Sequence, residues 1–119
     1  HEQVPNRHIT PELCFRFHYF AVRKLHLLLR ARAAVFFPGG FGTLDELFET
    51  LTLLQTHKMA QIPVILFDAD FWGRVIDFQH LADAGLIARD DLRLLTIVDA
   101  PEAAWAAIRD HYGLRDTPG

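Results

Sequence analysis

The chain has 119 residues, half of them hydrophobic, with 12 Lys and Arg against 15 Asp and Glu. That length makes one domain at most, the apolar content excludes disordered and fibrous classes, and a scattered net charge of −3 lacks the basic stripe that a nucleic-acid partner needs. The single cysteine, Cys14, excludes an internal disulfide, and no apolar run approaches a membrane span, so the sequence reads as a soluble cytoplasmic domain with neither nucleic acid nor membrane as partner.

Residues 1–10 read as a loop. Thr10, Pro11 and Glu12 resemble an N-cap, an N1 proline and a first-turn acid. A long helix is expected over residues 11–31, with Leu13, Phe17, Phe20, Leu27 and Leu28 at helical spacing. Arg16, Arg23 and Arg30 fall near one face of it. The helical rise sets each about 10 Å from the next, so a small anion can meet only one of them.

Residues 33–37 read as a buried strand and residues 43–57 as a helix with the apolar stripe Leu44, Leu47, Phe48, Leu51 and Leu54. Glu46, Thr50 and Leu53 lie on a different face. His57 and Lys58 close that helix at its negative end. Residues 62–67 form a second buried strand, with Pro63 near its start. A third helix is expected from Phe71 to about Ala84, with Phe71, Val75, Phe78 and Leu81 inward and Gly85 just past its end. A charged loop leads to a third strand, residues 94–98. Pro101 opens a last helix that Gly113 stops.

The alternation of helices and strands predicts an α/β fold, a Rossmann-like doubly wound parallel sheet. Three strands buried on both faces leave open edges. The expectation is therefore the C-terminal portion, three strands and about four helices, of a larger single domain.

Between the first strand and the second helix stands Pro38-Gly39-Gly40-Phe41-Gly42-Thr43. Ligands of open α/β sheets bind beyond the carboxyl ends of the strands. Gly39, Gly40 and Gly42 allow positive φ and close approach to the backbone, and Thr43 offers a hydroxyl and a helix N-terminal N–H. Phosphate suits such a place. The spacing fits neither the dinucleotide fingerprint nor the triphosphate loop. From the glycines alone, a phosphate site and a plain tight turn fit equally well. Glu46 also has a bland explanation: Thr43 to Glu46 matches a capping box, with Thr43 as N-cap and Glu46 at N3. Asp45 and Glu49 then read as first-turn acids.

The segment PGGFGTLDE, residues 38–46, resembles the PGGxGTxxE motif of the LOG (Lonely guy) family of cytokinin riboside 5′-monophosphate phosphoribohydrolases, formerly labelled lysine decarboxylases. The family's second motif, an Arg-Lys pair on the preceding helix, is matched by Arg23-Lys24, with Arg23 fifteen residues before Pro38. The likeness extends to the longer bacterial members through EQVPN, LTLLQTHK and the Phe71-Trp72 pair. It implies that Gly39, Gly40, Gly42 and Thr43 hold the 5′-phosphate and that Arg23 and Glu46 are the catalytic pair. Lys24 and Glu49 are further candidates. The implied reaction splits the N-glycosidic bond of a purine nucleoside 5′-monophosphate into free base and ribose 5-phosphate. It needs no metal or redox cofactor, and the implied assembly is a homodimer or higher.

The chain departs from the family in two ways. Phe20-Ala21-Val22 stands where the family commonly has Met-His-x, and the family's N-terminal half, with a second glycine-rich loop and most of the base pocket, has no counterpart here. This piece alone is therefore expected to be inactive. The rival readings are a nucleotide or molybdenum-cofactor carrier using the same loop, and a pyridoxal phosphate decarboxylase. The second lacks a lysine at a strand end. The seven histidines, His8 and His18 included, show no ligand spacing. Cys14, Trp72 and Trp105 read as packed core or interface residues.

Overall fold

The computed structural model describes residue 16 and residues 33–113. Of the expected first helix only Arg16 falls among them, and it is helical and exposed. The readings placed on His8, Cys14, His18, Arg23 and Lys24 lie outside the described residues.

Three strands, β1 (Ala34–Phe36), β2 (Val64–Phe67) and β3 (Leu95–Val98), form a parallel sheet in the order β1-β2-β3. Ala34 pairs with Val64 and Val64 with Leu95. Successive side chains of a strand point to opposite faces, and β2 shows both faces filled. Val64 and Leu66 pack with Leu47, Leu54 and Trp72, whereas Ile65 and Phe67 pack with Val98, Ala104, Trp105 and Ile108. All four β2 residues are completely buried. That explains the uninterrupted apolar run, and each such side chain contributes about 1.5–3 kcal/mol.

The connecting helices α1 (Phe41–Gln55), α2 (Ala69–Val75) and α3 (Phe78–Asp83) supply the first layer. After a 3₁₀ turn at Arg89–Leu94, α4 (Pro101–Tyr112) covers the opposite face. The doubly wound α/β expectation is met. Trp72 and Trp105 are both core residues. No described helix is long and apolar enough to cross a membrane.

Several elements differ from expectation. Of the three strands only β2 is buried on both faces: β1 is half-buried, and in β3 Thr96 and Ile97 are exposed, Ile97 at 38%. The segment after Asp70 is not one helix. Ile76 is extended, and Asp77 starts α3 by accepting a hydrogen bond from the His80 N–H at 2.9 Å. Val75, expected inward, is 42% exposed, because the break frees the last turn of α2 from the sheet. The helix expected over residues 43–57 instead spans Phe41–Gln55. His57 lies beyond it at φ 58, its N–H donating to Leu54 O while the Lys58 N–H donates to Leu53 O. This is the hydrogen-bond pattern of a left-handed helix stop, here built without glycine. Asp91 Oδ2 ties the end of α1 to the 3₁₀ turn, accepting from Gln55 Nε2 at 2.8 Å and from the Ala88 N–H at 2.9 Å.

Candidate functional site

The carboxyl ends of the three strands lie side by side. Phe36 pairs with Leu66 and Leu66 with Ile97, and the rings of Phe37 and Phe67 stack at 4.8 Å. The same register sets Pro38, Asp68 and Asp99 in a row along the carboxyl edge of the sheet. The glycine turn leaves this edge at one end of the row.

α1 begins earlier than its sequence suggested. Gly40 is the N-cap residue, at φ −99 and ψ −144, and no side chain caps the helix. The first helical hydrogen bond runs from the Leu44 N–H to Gly40 O at 3.0 Å. The N–H groups of Phe41, Gly42 and Thr43 precede it, so the helix has no carbonyl for them. The expected capping box is absent. Thr43 is inside the first turn, and Glu46 is too far along α1 to reach the N-cap. Glu46 and Glu49 are both exposed on α1, and Glu46 follows Thr43 by three residues, which sets the two on neighbouring positions of the helix surface.

The glycines have reasons other than the one expected. Among described glycines, positive φ occurs at Gly85 and Gly113, not in the turn. At Gly39 a Cβ would collide with the Thr43 hydroxyl and stand 2.9 Å from Thr43 Cβ, so Gly39 gives the Thr43 side chain its place. At Gly40 and Gly42 a Cβ would meet nothing within 4 Å among the described residues. The space those side chains would take is open, beside a helix start whose N–H groups lack helical acceptors. An anion fits that arrangement, because the macrodipole and the free donors point the same way.

Asp68 was not singled out by the sequence. It caps α2 through Oδ1, which accepts from the Phe71 N–H at 3.0 Å, and its own N–H donates to Val98 O at 2.8 Å. It does so at φ 88 and ψ 86, a sparsely populated conformation for a residue with a side chain. It is 7% exposed, and its second oxygen, Oδ2, is buried without a hydrogen-bond partner. The available signal was an acid directly after the apolar run of β2. Its neighbour Asp99 accepts from the Ala69 N–H at 2.9 Å. Among the described residues no group of three His, Cys, Asp or Glu is arranged to hold a metal ion.

The family model described as "Possible lysine decarboxylase" matches residues 1–108. The cytokinin riboside 5′-monophosphate phosphoribohydrolase LOG of Oryza sativa subsp. japonica is 39% identical over 85 residues, covering 68% of this chain and 33% of the rice protein. The chain thus spans about a third of that relative's length. The PGGFGTLDE segment at the start of α1 lies within residues 1–108 matched by the family model, and the chain belongs to this family, the LOG family.

Proposed function

We propose that the protein hydrolyses the N-glycosidic bond of a purine nucleoside 5′-monophosphate, of AMP or cytokinin type, to the free base and ribose 5-phosphate. The observation that carries this reading is the uncapped start of α1, with open space at Gly40 and Gly42. The 5′-phosphate takes the N–H groups of Phe41, Gly42 and Thr43, and the Thr43 hydroxyl stands beside it. The activity printed for the rice relative gives the phosphate a nucleoside to carry.

Cleavage moves the C1′–N bond electrons onto the base while a water oxygen bonds to C1′; the water's hydroxyl stays on the ribose and its proton ends on the base nitrogen. Positive charge builds on the ribose during this step, as in glycoside hydrolysis. Glu46, exposed on the second turn of α1, has no capping duty and is free to stabilise that charge or take the water's proton. In the family pattern Arg23 is its partner, as a second ligand of the phosphate. A homodimer or higher assembly belongs to the same reading, supported by Phe41 at 92% and Phe48 at 41% exposure.

The test incubates the full-length protein with AMP and with N6-substituted AMP and measures free base chromatographically. Wild type releases base, and Glu46→Ala lowers the rate by about a hundredfold or more. No release from either nucleotide by wild type overturns the proposal. A nucleotide that stays intact and binds wild type and Glu46→Ala equally points to a carrier instead.

A further inference from the structure

We propose that Asp68 takes a hydrogen bond from a ribose hydroxyl of the bound nucleotide, and so selects ribose over deoxyribose. This rests on the phosphate reading of the glycine turn. The first ground is Oδ2. It is buried and unpartnered, while Oδ1 accepts the α2 cap bond. A buried carboxylate oxygen without a donor is costly and calls for a reason, of which a partner supplied on binding is one.

The second ground is backbone strain. Asp68 holds φ 88 and ψ 86. Strain of this kind costs on the order of 1–3 kcal/mol and clusters at ligand sites.

Place and chemistry then choose the ligand group. The register sets Asp68 next to Pro38 along the carboxyl edge, one strand spacing (about 4.8 Å) from the glycine turn. The sugar of a nucleotide whose phosphate sits at that turn is one ester link away. An ionised carboxylate only accepts hydrogen bonds, and Asp99 adds a second acid to the row. The phosphate itself is therefore repelled from this part of the edge, and a neutral group rich in donors is favoured. The ribose hydroxyls are such a group. Oδ2 has almost no exposed surface, so the contact requires the Asp68 carboxylate to turn toward the sheet edge as the sugar docks.

Asp68→Asn is the diagnostic variant. Asparagine tolerates left-handed backbone and keeps an oxygen for the Phe71 N–H, but turns the free acceptor into a donor. Binding of AMP, 2′-deoxy-AMP, 3′-deoxy-AMP and inorganic phosphate to the full-length protein is measured by calorimetry, with a chelator present. Wild type is expected to prefer AMP over at least one deoxy analogue by about tenfold to a hundredfold, the span of a hydrogen bond to a charged group. Asp68→Asn loses that preference, with phosphate affinity and melting temperature unchanged. A preference that survives in Asp68→Asn overturns the inference while leaving the hydrolase reading intact. So does phosphate affinity falling in step with AMP affinity, which makes Asp68 a support of the turn. Affinity for AMP that requires a divalent cation also overturns it, by assigning the oxygen to a metal. Wild type that neither binds nor cleaves any of the nucleotides overturns both readings.

Discussion

α1 and α2 leave adjacent strands at the same edge of the sheet, yet they begin in opposite ways. α2 is short, and Asp68 caps it with a side-chain oxygen. α3 repeats the device with Asp77. α1 is the longest described helix and starts on Gly40 with no side-chain cap and no acid in its first turn. α4 also lacks a side-chain cap, but Pro101 at its first turn has no N–H to satisfy and Glu102 complements the dipole. Helices that serve only the packing satisfy their own first donors. α1 leaves its first donors without a side-chain cap, at the cost of roughly a few tenths of a kcal/mol against a capping residue.

The contrast separates how α1 is held from what its end does, and that separation can be broken. Leu47 is completely buried against the sheet. Leu47→Ala should cost about 2–5 kcal/mol of stability by denaturant unfolding, while phosphate affinity of the remaining folded protein is kept. Gly40→Asp should do the reverse. An acid there caps α1 and adds roughly a few tenths of a kcal/mol over glycine, but it occupies the anion's place and lowers phosphate affinity by about tenfold or more in calorimetry. A stabilised variant with unchanged affinity would remove the phosphate from this turn. Asp77→Ala removes a cap of the ordinary kind and should cost about 1 kcal/mol of stability, with no change in phosphate binding. The smallest effect belongs to Arg74→Ala. The Arg74–Asp70 pair, 3.3 Å apart, is 78% and 67% exposed, and its loss should change stability by less than about 0.5 kcal/mol.

Much of the fold was legible because a few residues act locally and without competition. Pro101 and Gly113 bracket α4 as expected, Gly85 lies just past α3 at φ 79, and the apolar run of β2 announced a doubly covered strand. The misreadings came where two local signals competed. Thr43 and Glu46 imitate a capping box, and nothing in Phe41 or Gly42 advertises helix, so α1 was started too late. Phe71, Val75, Phe78 and Leu81 keep helical spacing across a break that only Asp77 marks. Of the candidate site, the glycine turn was visible in its pattern. The reasons for the individual glycines were not, because Gly39 answers to Thr43 and not to its own φ. For Asp68 the sequence shows only an acid directly after the apolar run of β2; its left-handed backbone has no signature in one sequence.

The strand order also bears on how the chain reaches this state. Each strand pairs with the one that follows it in the chain, with one crossover between them. The sheet can thus grow by successive units, each closing a loop of similar modest length. The entropy of bringing the strands together is then met in small instalments, without a single distant closure. β2 is the strand both units share, and its four buried residues join each new unit to the same nucleus. Destabilising substitutions in β2 should slow folding, whereas those in α4, which docks after β3, should mainly speed unfolding.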